Sequence, residues 1–129
     1  MEIGLKASYE TEVTKERSAK EMKSGSLEVY ATPSMVALME YVSCECIKDA
    51  LEEGQTSVGT ALSIKHVSAT PVGMKVRCES ELIAVDGRAL TFSVKAYDEA
   101  GLIGEGEHQR FIVDSEKFTK KTYGKFDSI

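Results

Sequence analysis

Residues 29–54 read VYATPSMVALMEYVSCECIKDALEEG, and they contain the one strong helix signal in the chain. Thr32 followed by Pro33 is typical of an N-cap residue and the first position of a helix. Gly54 supplies a stop signal. Between these signals the apolar residues recur at helical spacing, at Met35, Leu38, Met39, Val42, Cys46 and Ala50. We therefore predict one long helix that buries a single face.

The sequence after this helix predicts four strands. Residues 57–67, 74–85, 88–97 and 102–113 alternate apolar and polar side chains with a period of two, which is typical of strands that bury one face. Asp86-Gly87 is a hairpin signal, and residues 98–101 form another turn. Before the helix, residues 5–16 predict a strand and residues 18–26 a polar loop or a short lid. The tail from residue 114 predicts a short helix.

This order of elements predicts an α+β fold in which an antiparallel five-stranded sheet wraps around one long central helix. Such a layout buries one face of every strand against the apolar face of the helix. It is the layout of a hotdog fold, and a cystatin-like or cone-shaped α+β domain is the main alternative. At 129 residues and 14.1 kDa, the chain has the size of a single domain spanning residues 1–129.

Composition and charge exclude several classes of protein. With 42% hydrophobic and 29% charged residues the chain is typical of globular proteins, and no stretch reaches the ~20 apolar residues of a membrane span. The net charge of −5 argues against a nucleic-acid partner. Three cysteines make no disulfide framework, and the N-terminus lacks a signal-peptide pattern. We expect a cytoplasmic protein without a membrane partner.

Three polar residues break the local patterns. Glu40 falls beside the apolar arc of the helix, where a carboxylate loses hydration and suits general acid–base chemistry. His66 continues the parity of Val58, Leu62 and Ile64 and should face the core. Thr32 stands at a helix start, where free N–H groups can stabilise a developing oxyanion. A boundary glutamate, a satisfied core histidine and an ordinary helix cap are the structural alternatives.

A fourth feature lies on the last strand, where His108 shares a face with Gly104, Gly106 and Arg110. Two glycines on one strand face indicate that something approaches that surface closely, and a bent strand with a polar face is the simpler interpretation. The chain has no metal-ligand spacing, no P-loop and no nucleophile-elbow motif. We expect no metal and no cofactor.

The same stretches carry a family resemblance. Residues 29–41, VYATPSMVALMEY, resemble the central helix of the fluoroacetyl-CoA thioesterase-like branch of the hotdog thioesterases, and residues 57–73, SVGTALSIKHVSATPVG, resemble the strand that follows it. Residues 104–110 and 115–118 resemble its last strand and tail. The resemblance implies an acyl-CoA thioesterase whose catalytic residues are Thr32, Glu40 and His66. It also implies that Gly59 lines the acyl pocket and that Arg110 lies near the active site.

The resemblance carries further expectations. Hotdog chains usually pair, so a homodimer or a dimer of dimers with the site at the interface is implied. CoA is then part of the substrate. The fluoroacetate-specific enzyme has aromatic lid residues where this chain has Lys23 and Ser26, so a short-chain or other small acyl-CoA is the expected substrate. Glu40 would act as general base on water or attack the thioester itself.

Two other function classes remain open. A hydratase or dehydratase acting on an acyl-CoA would use the same fold, although that chemistry favours an Asp–His pair and the apolar arc of the helix contains no Asp. A non-catalytic module that binds an acyl group or another small ligand is the third possibility.

Overall fold

The computed structural model describes residues 1–129 and contains one five-stranded antiparallel sheet. Strand β1 (Lys6–Glu12) precedes the long helix α1 (Thr32–Ile47). Strands β2 (Gln55–His66), β3 (Lys75–Asp86), β4 (Ala89–Asp98) and β5 (Gly101–Asp114) follow, and helix α2 (Ser115–Tyr123) ends the fold. The strands lie in the order β1-β3-β4-β5-β2, which places β2 at one edge. The predicted α+β arrangement of helix and sheet is confirmed.

Helix α1 packs its apolar face against the concave face of the sheet. Met35, Met39 and Val42 are fully buried. The removal of each such side chain from water stabilises the fold by about 1.5–3 kcal/mol. The predicted alternation of β3 and β4 is confirmed, because the inward residues are buried on both strands: Val76, Cys78, Ser80 and Leu82 on β3, and Leu90, Phe92, Val94 and Ala96 on β4. None of the helices is long and apolar enough to cross a membrane.

The helix ends earlier than its apolar pattern predicts. Helix α1 stops at Ile47 and continues as a single 3-10 turn, Lys48–Ala50, in which Ala50 is exposed. Gly54 lies in the turn before β2 with φ +82°, a conformation that glycine adopts without strain. Helix α1 therefore packs four turns against the sheet. The residues between Ile47 and β2 connect the helix to that strand.

A β-bulge changes the face that β2 presents to the helix. The register between β2 and β5 shifts between Gly59 and Ala61, so Thr60 is the extra residue. Before the bulge Val58 pairs with Phe111, which is 41% exposed on the outer face. The prediction that Val58 faces the core together with Leu62 is therefore wrong, because the extra residue reverses the alternation. Ser57 and Gly59 face the helix instead.

Residues 18–30 form a loop that is fastened at its base. The backbone N–H of Ala19 donates to Val29 O at 2.8 Å, and that of Lys20 donates to Leu27 O at 3.0 Å. Its two ends, Ser18 and Tyr30, form an isolated antiparallel bridge. The predicted polar loop is confirmed, and its hydrogen bonds bring the loop close to the start of α1.

Candidate active site

The start of α1 meets the end of β2 through a side-chain contact. Thr32 Oγ1 lies 2.7 Å from His66 Nδ1, within hydrogen-bond distance. Thr32 stands in the first helical turn, where backbone N–H groups have no partner within the helix. One end of the helix therefore holds a hydroxyl, an imidazole and unpaired amides. Groups of this kind can donate hydrogen bonds to a carbonyl oxygen.

Thr32 does not cap the helix, which corrects the sequence prediction. The N-cap is Ala31, Pro33 lies in the first turn, and no side chain at this end accepts a capping hydrogen bond. The extended backbone of Ala31 starts the helix one residue earlier than the Thr-Pro pattern indicates. Thr32 Oγ1 is consequently free to bond with His66.

His66 is partly buried, and its two ring nitrogens differ. Burial lowers the pKa of the ring below its ordinary value of 6.5, opposed in part by the backbone at Ser68, so the neutral form dominates at neutral pH. Nδ1 contacts Thr32, whereas Nε2 is buried without a hydrogen-bond partner within the chain. A buried polar nitrogen without a hydrogen-bond partner lowers the stability of a protein. Nε2 is therefore the nitrogen of the Thr32–His66 pair that remains available for a further hydrogen bond.

A small cavity of about 300 Å³ covers the Thr32–His66 pair. It lies between the 18–30 loop and the segment that follows β2. Its walls are mostly small or apolar, and its lining residues are Ala19, Ser24, Val29, Tyr30, Thr32, His66, Val67, Ser68 and Ala69. Thr32 and His66 form the polar end of this cavity.

Glu40 belongs to a second polar group farther along α1. Its Oε2 lies 3.6 Å from Arg110 Nη1 in an ion pair, where the Arg110 side chain is 8% exposed and that of Glu40 is 44% exposed. The expectation that Glu40 lies beside apolar neighbours is only partly met. Val36 lines the same cleft, but the nearest charged neighbour of the carboxylate is a buried guanidinium.

Gly59 allows Glu40 to approach the sheet. A Cβ atom at Gly59 would lie 3.0 Å from Glu40 Oε2 and 3.3 Å from His108 Cε1, so any larger residue would press on both side chains. A cleft of about 260 Å³ opens here, lined by Val36, Glu40, Gly59, Thr60, Ala61, Leu62 and His108. Gly59 and Arg110 thus both lie beside Glu40, and neither lines the cavity over Thr32 and His66.

Within one chain the two polar groups remain apart. Thr32 and Glu40 are eight residues apart on α1, which corresponds to about 12 Å along the helix axis. No hydrogen bond or ion pair joins Glu40 to Thr32 or His66. The side chains of a single chain therefore do not bring Thr32, Glu40 and His66 together in one cleft. No group of three or more His, Cys, Asp or Glu side chains is placed to hold a metal ion.

His108 lines the Glu40 cleft, and the sequence did not indicate a role for it. Its ring is 2% exposed and lies beneath the Glu40 cleft, in contact with Arg110. The close approach that Gly104 and Gly106 predicted is confirmed, because Met35 of α1 packs onto Gly104 and the β2 backbone at Ser63 lies against Gly106. The shared parity of His108 and Arg110 was the available signal, since it places both side chains on the face that the helix covers.

Comparisons with known proteins agree on one family. The family model described as fluoroacetyl-CoA-specific thioesterase matches residues 13–116. The fluoroacetyl-CoA thioesterase of Streptantibioticus cattleyicolor is 43% identical over 94 residues, which cover 73% of this chain and 68% of that protein.

Solved structures extend the similarity to the fold. A structure of the fluoroacetyl-CoA thioesterase superposes with a TM-score of 0.92 at 34% identity, covering 97% of each chain. Variants of that enzyme have been solved with acetyl-CoA and with fluoroacetate and CoA. A hot-dog-like protein from Thermanaerovibrio acidaminovorans superposes with a TM-score of 0.87 at 21% identity, covering 96% of this chain and 92% of that one, and confirms the predicted fold. The chain therefore belongs to the fluoroacetyl-CoA-specific thioesterase family of hotdog-fold proteins.

Proposed function

We propose that this protein is an acyl-CoA thioesterase that hydrolyses a small acyl-CoA to the free acid and CoA, with Thr32, Glu40 and His66 as its catalytic residues. The observation that carries the proposal is the 2.7 Å contact between Thr32 and His66 beside the first turn of α1. Membership in the thioesterase family supports the reaction, and the small cavity over this pair supports a short acyl group.

Each group has a role in the hydrolysis of a thioester. The first-turn amides of α1 and the Thr32 hydroxyl bind the carbonyl oxygen, where negative charge develops. Glu40 removes a proton from the attacking water, which forms the new C–O bond as the C–S bond breaks. His66 takes that proton from Glu40 on its Nε2 and delivers it to the departing CoA thiolate, or hydrogen-bonds the carboxylate. One water is consumed, and one acid and one thiol are released.

The distance between Thr32 and Glu40 supports a site built from two subunits. Strand β2 is one of the two edge strands of the sheet, and an unpaired edge can pair with a second chain. The Glu40 cleft opens at this edge through Gly59 and Leu62, and the buried Nε2 of His66 has no partner in its own chain. A two-fold dimer through β2 would let the partner's Glu40 complete the Thr32–His66 pair.

A panel of acyl-CoA esters tests the reaction. The wild-type protein is incubated with esters from acetyl to long-chain, and the released thiol is measured. Thr32→Val, Glu40→Gln and His66→Gln should each lower the rate about 10²–10⁴-fold without unfolding the protein. Wild-type release of thiol by the Glu40→Gln variant would remove Glu40 from the mechanism. Consumption of enoyl-CoA, or a rise in melting temperature with no cleavage, would indicate a hydratase or a binding module instead.

Mixed dimers test the division of the site between subunits. Glu40→Gln and Thr32→Val protomers are unfolded together, refolded and assayed. If each site takes Thr32 from one subunit and Glu40 from the other, the mixture recovers about a quarter of the wild-type rate, because half of the dimers are mixed and each holds one intact site. No recovery would mean that one subunit supplies both groups.

A further inference from the structure

His108 lies at the centre of a buried polar network beneath the Glu40 cleft. The ring is 2% exposed and stacks on Phe92 of β4 at a centroid distance of 6.3 Å. Nδ1 lies 3.0 Å from Ala61 O on β2, and Nε2 lies 3.0 Å from Arg110 Nη1. Both ring nitrogens are therefore occupied by the protein, which leaves neither free to contact a substrate.

These two contacts determine the protonation state of the ring. A carbonyl oxygen only accepts hydrogen bonds, so Nδ1 must carry the proton that bonds to Ala61. A guanidinium only donates, so Nε2 must be the unprotonated nitrogen that accepts from Arg110. Only the neutral imidazole with its proton on Nδ1 satisfies both partners.

Arg110 is oriented by three hydrogen bonds, two to Ser57 and one to His108. Its Nε donates to Ser57 Oγ at 2.8 Å and its Nη2 donates to Ser57 O at 2.9 Å, so one edge of the guanidinium is fixed to β2. The remaining nitrogen, Nη1, donates to His108 and lies 3.6 Å from Glu40 Oε2. His108 and Glu40 thus share one guanidinium nitrogen, and the histidine fixes the direction from which the arginine faces the carboxylate.

We propose that His108 is a positioning residue for the thioesterase reaction: as a neutral acceptor it holds Arg110 in the orientation that places the Glu40 carboxylate. This inference rests on the proposed role of Glu40. Protonation of Nε2 would remove the acceptor and place a second positive charge against Arg110. The charged groups that face the ring are Arg110 on its own strand and Glu40 on α1, while β2 and β4 present the Ala61 carbonyl and the Phe92 ring. Ordered placement of Glu40 is therefore lost when the ring becomes charged.

Two amide variants separate the two hydrogen bonds of the ring. In His108→Gln the amide oxygen can reach the position of Nε2 and accept from Arg110. In His108→Asn the shorter amide lies near the position of Nδ1 and leaves Arg110 without its acceptor. We expect His108→Asn to lower kcat about 10–100-fold with little change in KM, and His108→Gln to recover most of that loss. The proposal is overturned if both folded variants keep the wild-type kcat, or if both lose it equally.

Histidine NMR gives a readout that does not depend on catalysis. The chain has only two histidines, so a ¹⁵N-histidine spectrum of the wild-type protein is assigned with a single His66→Gln variant. We expect the His108 ring to be neutral at neutral pH and protonated at Nδ1, and its pKa to rise in Arg110→Met because a cation is removed. A proton on Nε2 would overturn the proposal. If the ring is as expected but no acyl-CoA is cleaved, the proposed function fails and the placement of Arg110 stands.

Discussion

Thr32 Oγ1 and His66 Nδ1 are 2.7 Å apart although 34 residues separate them in the sequence. The contact forms because the first turn of α1 lies beside the last residue of β2. Thr32 caps no backbone group in this position. Its hydroxyl contacts His66 instead, so under the proposed mechanism its loss should affect activity more than stability.

Thr32→Val tests this separation of roles. Valine keeps the shape of threonine and removes only the hydroxyl, so we expect acyl-CoA hydrolysis to fall about 100-fold. The melting temperature should change little, whereas loss of a capping hydroxyl would cost about 1 kcal/mol. Thr32→Ser keeps the hydroxyl and serves as the matched control, with most of the wild-type rate. A large loss of stability with unchanged kcat would mean that the hydroxyl is structural.

The two histidines predict how stability depends on pH. Burial lowers the pKa of both His66 and His108 below the ordinary 6.5. As the pH falls below 6.5 the unfolded chain binds protons before the folded one does, so the free energy of unfolding decreases until the lowered pKa values are passed. Above 6.5 these groups add no pH dependence.

Urea unfolding between about pH 8 and pH 5 measures this effect. Carboxylates also titrate at the lower end of this range, so the informative quantity is the difference between the wild-type protein and His66→Gln. The variant should lose less stability than the wild type as the pH falls, because its unfolded chain has one histidine fewer to take up a proton. Identical slopes would show that His66 has the same pKa in both states.

Much of the fold was predictable from the sequence because its local patterns agree with one another. The alternation of β3 and β4 identifies the buried faces, and Asp86-Gly87 identifies the hairpin between them, where Gly87 has φ +61°. Since these strands form one sheet, the apolar face of α1 can be buried only against that sheet. Such a fold can be predicted from sequence when helix periodicity, strand alternation and turn residues all indicate the same arrangement.

The parts that escaped prediction depend on contacts distant in sequence. Gly59 is the only local signal for the bulge at Thr60, and it does not show which residue is extra; that residue puts Val58 on the outer face. The burial of His108 depends on α1 and β2 covering β5, and its tautomer depends on Ala61 and Arg110. The distance between Thr32 and Glu40 was calculable from helix geometry. Tertiary packing decides which residues contact each of them.

A side chain at Gly104 should destabilise the protein, for a reason unrelated to catalysis. A Cβ atom there would lie 2.6 Å from both Sδ and Cε of Met35, which is fully buried. We expect Gly104→Ala to destabilise the protein by about 1–3 kcal/mol through overpacking. Met35→Ala alone leaves a void and should cost about 2–5 kcal/mol. The double variant should be more stable than the sum of the two losses predicts, because the new methyl group enters the space that Met35 vacates, and simple additivity in urea unfolding would contradict this contact.

Val29 should limit the length of the acyl group. Its side chain lines the cavity of about 300 Å³ over Thr32 and His66, and the residue is held in place by a bridge to Pro71. Val29→Ala enlarges the cavity by two methyl groups, so kcat/KM should rise for acyl chains one or two carbons longer than the best wild-type substrate. Each methylene that finds room contributes about 0.8 kcal/mol, which corresponds to a rise of about fourfold. Val29→Leu should shift the preference towards shorter chains.

Leu27→Ala is the matched control for this prediction. Leu27 belongs to the same 18–30 loop, but it is 66% exposed and does not line the cavity. Its truncation removes more apolar volume than Val29→Ala while leaving the cavity wall intact, so the acyl-length profile should match that of the wild type. If both variants shift the profile equally, the loop controls selectivity through its mobility and not through the wall that Val29 provides. If neither does, the acyl group binds elsewhere, and the Glu40 cleft of about 260 Å³ becomes the site to alter next.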